Sequence, residues 1–170
     1  MLSEKILPLT PFHLGPALFL GLALLRYLDL PTFLIANVIV DVEPLIIILL
    51  DLGYPLHGFL HSFIGGTLAA IALTMVRVRG RFNHILSIFK IEKESSAGKI
   101  LAASLLGVYI RILLDSRMHP DVKPFHPIPI NPFLGGGVLV GLEIHMWCMW
   151  MFIAGLIIYA AMLTSRFTRK

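Results

Sequence analysis

Residues 35–50 read IANVIVDVEPLIIILL. Asp41 and Glu43 stand inside an otherwise oily run, and Pro44 follows at once. A charged side chain at the centre of a bilayer costs about 2.5–3.5 kcal/mol on insertion scales, so acids in such a run face protein or a wet cavity. On an ideal helix, residues two apart point about 200° from one another, and one of the two acids would meet lipid. Pro44 offers a way out, because it disfavours helical geometry at Glu43 and frees a backbone carbonyl. The stretch therefore predicts a locally opened membrane span with both acids turned into a polar cavity, a break tolerated only where protein or water covers it. Asn37 lies one turn before Asp41 and shares its face.

Composition supports a membrane setting. Hydrophobic residues make up 57% of the 170 and charged residues 14%, against roughly 25% charged in soluble domains. The mean hydropathy is +0.86. A net charge of +4 is too small and too dispersed to suggest nucleic-acid binding. The single cysteine, Cys148, forms no internal disulfide and reads as a small apolar residue. The apolar stretch after Lys5 is interrupted by Pro11, His13 and Pro16 and lacks a small-residue cleavage pattern, so it reads as a retained span rather than a signal peptide.

A bilayer-crossing helix needs roughly 20 apolar residues. The pattern predicts an all-α, polytopic membrane helix bundle forming one domain over residues 1–170, with five spans near 12–27, 31–50, 57–76, 100–114 and 138–164. Ser95 and Ser96 are candidate N-caps for the fourth. Between spans three and four, Phe82, Ile85, Leu86 and Phe89 share one helical face, as in a short amphipathic helix lying on the membrane surface, with His84 solvated on the other. Between spans four and five, SRMHPDVKPFHPIPINPFLGGG carries five prolines and a glycine triplet, Gly135–Gly137. It reads as a semi-rigid extended segment followed by a loose hinge.

Five spans put ten of the fourteen basic residues on one side. The positive-inside rule makes that side cytoplasmic, with the N-terminus outside and the C-terminus in the cytoplasm. The remaining ionisable residues then gather near the outer leaflet: His13, Asp41, Glu43, Asp51, His57, His61, Asp115, His119, Asp121, Lys123, His126, Glu143 and His145. His57 and His61 form H-x3-H, a spacing at which two imidazoles on one helical face share a divalent metal. The plainer reading is two polar groups tolerated at an interfacial helix end. His13 is either a helix-end polar residue or a member of the same layer. Asp115 either ends a span, paired with Arg111 one turn earlier, or joins the cluster. Glu143 and His145 suit snorkelling or an interhelical hydrogen bond, His126 a loop surface, and Trp147 and Trp150 an interfacial belt or packing.

The series TPFHLGPAL with His13, DVEP with Asp41 and Glu43, HGFLHS with His57 and His61, and RILLDS with Asp115 resembles the YdjM-like membrane-bound metal-dependent hydrolases, in an archaeal-type branch. The resemblance covers most of the chain in the same order. It implies a hydrolase site made of His13, Asp41, Glu43, His57, His61 and Asp115. In one place the chain departs from the family pattern: Arg111 stands where the family has the histidine of H-x3-D. A guanidinium does not bind a metal. The site then has one ligand fewer, or His119 substitutes from the loop, or Arg111 holds an anionic substrate.

These readings converge on a divalent metal, zinc by ligand type, held by His57, His61 and an acid, Asp41 or Asp115, with His13 as a further ligand or a supporting residue. Glu43 is the expected general base. Arg111, His119, Asp121 and Lys123 are expected to bind substrate, and the depth of the layer suggests a membrane-lipid ester or phosphoester. The Pro-rich loop would cover the site. Two other functions fit the same residues. One is an ion-coupled carrier using Asp41 and Glu43 at a broken helix, for which PFHLGPALFLGL and PFLGGGVLVGL are a faint internal repeat. The other is an assembly protein whose polar or metal cluster is structural.

Overall fold

The computed structural model describes residues 13–80, 95–136 and 138–167. The expected amphipathic helix around Phe82–Phe89, with His84, lies outside the described residues, as does Gly137. The described residues are helical, with no strand: α1 (Leu14–Ala23), α2 (Leu30–Ile39), α3 (Val42–Leu49), α4 (Phe63–Val78), α5 (Ala97–Met118) and α6 (Val138–Phe167). Three helices are long and apolar enough to cross a membrane: Leu30–Leu49, in which α2 and α3 run on as one bent element, Ala97–Met118, and Leu139–Ser165. The other two of the five expected spans are shorter. Leu14–Ala23 has 10 residues and Phe63–Val78 has 16, about 15 and 24 Å at 1.5 Å per residue.

The break in the second span falls two residues before the place expected. Glu43 is helical, in the first turn of α3, and the chain turns at Val40–Asp41 instead. The proline ring conflicts with the carbonyl four residues back, which here is that of Val40. That carbonyl accepts from the Glu43 N–H at 3.3 Å. The turn rotates Asp41 into the interior, where it is buried.

Polar side chains fix the helix starts. Asp29 caps α2, accepting from the Thr32 N–H at 3.2 Å and from the Thr32 hydroxyl. It also accepts from Ser95 and lies 3.5 Å from Arg77 Nε, tying α2 to α4 and to the approach to α5. Ser96 is the cap of α5, and Ser62 caps α4 through the Gly65 N–H at 3.0 Å.

α5 is central. It packs against α2 and α4, while α1 packs against α6 and α2. One apolar cluster joins Ala36, Val40, Ala70, Leu73, Val108 and Ile112, and a second joins Ala17, Leu28, Phe33 and Ala103. Small residues let the backbones approach, as in other membrane helix pairs. A Cβ at Gly15 would lie 2.0 Å from the Cys148 carbonyl oxygen, and one at Gly107 would lie 2.7 Å from the Phe33 carbonyl. Both obstacles are backbone, so neither yields cheaply. Gly107→Leu is expected to cost at least about 1–3 kcal/mol, the usual penalty of overpacking, seen as a lower unfolding temperature in detergent. α6 turns Leu139, Leu142, Met146, Trp147, Trp150, Ile153 and Ile157 outward, as a lipid-facing helix would.

The Pro-rich loop is not extended where it is described. It forms turns that fold back on the bundle. Phe125 and Phe133 pack against Phe63, with ring centroids 5.4 and 6.5 Å away. The Pro124 carbonyl accepts from the Phe63 N–H at 2.8 Å. Asn131 Nδ2 donates to the Ser116 carbonyl at 2.7 Å, and the Gly135 N–H donates to the Arg117 carbonyl at 3.0 Å.

Candidate metal centre

The turn at Val40–Asp41, the 3-10 turn Phe59–His61 and the last turns of α5 meet at one end of the bundle. His57 and His61 do not share a helical face as their spacing suggested. His57 lies in a bend, and His61 ends the 3-10 turn before α4 begins. Their rings still meet edge to face, with centroids 4.7 Å apart. The side-chain cap at Ser62 starts α4 only after this turn, and the preceding residues curl inward.

Both histidines and Asp115 are buried. One donor atom from each of His57, His61 and Asp115 lies within 4.8 Å of the others, so this group can hold a metal ion. His61 Nε2 and Asp115 Oδ2 are 3.5 Å apart. Two ligands placed 2.0–2.1 Å from a tetrahedral zinc stand about 3.4 Å from each other. Neither His61 nitrogen has a hydrogen-bond partner, and His57 Nε2 and Asp115 Oδ1 have none either. Buried polar atoms are rarely left so. The donor types, their spacing and their unsatisfied state together fit a divalent ion.

Carboxylates sit behind both rings. Asp121 accepts from the His57 backbone N–H at 3.2 Å and lies 2.9–3.0 Å from His57 Nδ1. Glu43 Oε2 lies 3.5 Å from His61 Nδ1 and accepts from the Leu60 N–H at 2.9 Å. Such partners set the tautomer and orientation of metal-binding histidines. Burial raises the Asp121 carboxyl, but the hydrogen bonds and charge of His57 outweigh it and hold its pKa down at about 2. His119 stacks on His57 with centroids 4.5 Å apart. Burial and the neighbouring His57 push its pKa below the usual histidine value. His57, His119 and Asp121 form a second, less buried group of possible donors.

Several expected roles change. Asp41 is not among the donors grouped with His57 and His61. Its Oδ1 takes a 2.8 Å hydrogen bond from Arg111 and stands 3.8 Å from His61 Nε2. Arg111 also donates from Nε to Asp115 Oδ2 at 2.7 Å. The guanidinium thus bridges two acids inside the protein, and the three-donor group is complete without position 111. His13 lies 3.5 Å from Asp115 Oδ1, beside a donor rather than among the three. Asp121, expected to bind substrate, is held against His57 and also lines the neighbouring cleft. That pairing joins residues 64 apart in sequence, and no local pattern announces it. Lys123 alone of the expected substrate residues is exposed. Glu143 is exposed, whereas His145 is half-buried with its ring 5.7 Å from His13.

Beside the donors opens a cleft of about 700 Å³. Glu43, His57 and Asp121 give it a polar wall, Lys123 and His126 flank it, and α3 together with Tyr54, Pro55 and Phe59 closes the apolar side. Gly58 keeps Glu43 in place: a Cβ there would lie 2.5 Å from Glu43 Oε1. Gly58→Ala is expected to leave the fold intact, since the carboxylate is the far end of a flexible side chain, but to push Glu43 off His61. Metal affinity should fall about 10–100-fold, as for other losses of a ligand's supporting partner, measurable by chelator competition.

No family model matches this chain, and comparison with curated proteins and with solved structures likewise gives no match. The function therefore rests on the site.

Proposed function

We propose that this chain is a membrane-embedded, metal-dependent hydrolase acting on a lipid-like ester or phosphoester at the outer membrane interface, in the manner of the YdjM-like family it resembles. The observation that carries this reading is the pair of buried imidazoles, each with a carboxylate behind it, with His61 Nε2 3.5 Å from Asp115 and one donor atom of each of the three residues within 4.8 Å of the others. Charge supports it as well. Asp41, Glu43, Asp115 and Asp121 outnumber the one guanidinium of Arg111, and neutral imidazoles, which ligation requires, add nothing. A divalent cation reduces that excess.

His57, His61 and Asp115 hold the ion, zinc by their nitrogen and oxygen chemistry. When bound, it acts as a Lewis acid on an ester or phosphoryl oxygen and acidifies water. Glu43, partly exposed on the cleft wall, accepts the proton there. Asp121 holds the His57 ring, and Arg111 keeps Asp115 aimed at both histidines. With α1 and α4 also inserted, five crossings place this end of the bundle outside and the C-terminus in the cytoplasm.

The test is metal analysis of the purified full chain, followed by a panel of phospholipid and carboxylic esters. About one divalent ion per chain and chelator-sensitive cleavage are expected. The buried Arg111 bridge favours a second reading, a structural polar cluster in an assembly protein. It prevails if the ion is bound, no ester is cleaved, and chelation lowers only the unfolding temperature.

A further inference from the structure

His57, His61 and Asp115 are almost shut off from solvent, at 5%, 0% and 1% exposure. A divalent ion reaches them only by shedding its water, and taking a charge out of water is costly unless protein ligands replace that water. A second set of donors stands on the way in. His57, His119 and Asp121 each offer one ligand atom within 4.8 Å of the others. His119 and Asp121 are partly exposed, the Asp121 side chain by 33%, and Asp121 and His57 line the cleft. The donors thus form a series from the open cleft inward, and His57 belongs to both groups.

A neutral imidazole has one nitrogen lone pair to give a metal, because the other nitrogen carries the proton. Nδ1 of His57 faces Asp121 at 2.9–3.0 Å, and its Nε2 is buried with no hydrogen-bond partner. One ring therefore serves one group at a time, and the two groups are alternatives for a single ion. Charge favours a cation on this route. Glu43 and Asp121 line the cleft, neutral imidazoles leave their charge standing, and the Lys123 ammonium lies out in solvent, where its field is screened.

We propose that His57, His119 and Asp121 form an entry site, through which a divalent ion passes from the cleft to His57, His61 and Asp115. In the entry position His57 ligates through Nδ1 and carries its proton on Nε2. On handover that proton is exchanged through water to Nδ1, Nε2 becomes the ligand, and Asp121 accepts from Nδ1–H. The relay rests on the metal centre of the hydrolase reading and not on its chemistry.

The metal-free full chain in phosphatidylcholine nanodiscs is mixed with zinc in stopped flow, with a fluorescent zinc indicator as competitor, and release into excess chelator is timed separately. His119→Phe keeps a flat ring on His57 and offers no donor. It should slow uptake and release alike by at least about ten-fold, the lower end of what loss of a supporting partner costs a metal site. The equilibrium affinity, their ratio, should not change. His119→Cys restores a zinc donor without the ring and should recover most of the rate, and a single ion per chain is expected at saturation. Uptake at the parent rate in His119→Phe, slower uptake with release unchanged, His119→Cys as slow as His119→Phe, or two ions per chain overturns the relay. Ester cleavage is read on the same samples. Loading that depends on His119 in a chain that cleaves no ester sinks the hydrolase reading and leaves the relay standing, whereas cleavage with loading indifferent to His119 does the reverse. A parent chain that takes up no zinc sinks both.

Discussion

His61→Ala is expected to lose the divalent ion altogether under conditions where the parent chain retains it. His61 is fully buried and stands within 3.8 Å of three carboxylates, those of Asp41, Glu43 and Asp115. Removing its ring takes away one of the three grouped donors and leaves those acids without the imidazole between them. Affinity should fall by more than roughly 100-fold, the upper end of what loss of a mere supporting partner costs. Asp121→Asn provides the comparison. It retains all three donors and only weakens the hold on His57, so its loss should stay within about 10–100-fold. Chelator competition with zinc orders the three proteins. His61→Gln, closer in size to histidine, guards against a simple folding defect. A stoichiometric ion surviving in both His61 variants would remove the metal site.

Arg111→Met is expected to have the largest effect on stability. The guanidinium is buried, and it binds Asp41 at 2.8 Å and Asp115 at 2.7 Å. Removing one partner from a buried ion pair costs about 3–5 kcal/mol, because the charge left behind has neither water nor a counter-ion. For a chain of this size that amounts to a fall of roughly 10 °C in unfolding temperature. Arg111→Lys should recover only part of it, since a compact ammonium cannot span two acids as a planar fork does. Adding Asp41→Asn to Arg111→Met should return much of the loss by removing one stranded charge. An unfolding temperature within about 2 °C of the parent in Arg111→Met would show that the bridge carries no such weight.

The helical, apolar character of the chain was legible in its composition, and so was much of the cluster. Asp41, His57, His61 and Asp115 were each conspicuous as costly polar residues in oily surroundings, a local property that needs no fold to see. The kink in the second span was legible too, though placed two residues late, because the proline's conflict is with the carbonyl four residues back. The pairings of Asp121 with His57 and of Asp41 with Arg111 were not legible, for a different reason. The partners are 64 and 70 residues apart, and spacing along the chain carries no information about such contacts.

The sequence alone determined which residues could not be left to lipid: burying a charge is expensive whatever surrounds it, so acids and imidazoles in apolar runs had to find company. Which company they found was decided only by tertiary packing. The close approach of α2 to α5 at Gly107, the turn at Val40–Asp41 and the loop folded back through Phe125 and Phe133 bring side chains from distant segments within reach. Hydrogen bonding and ligation act over a few ångströms, so whether Arg111 meets Asp41, or Asp121 meets His57, depends on helix placement that no single segment encodes.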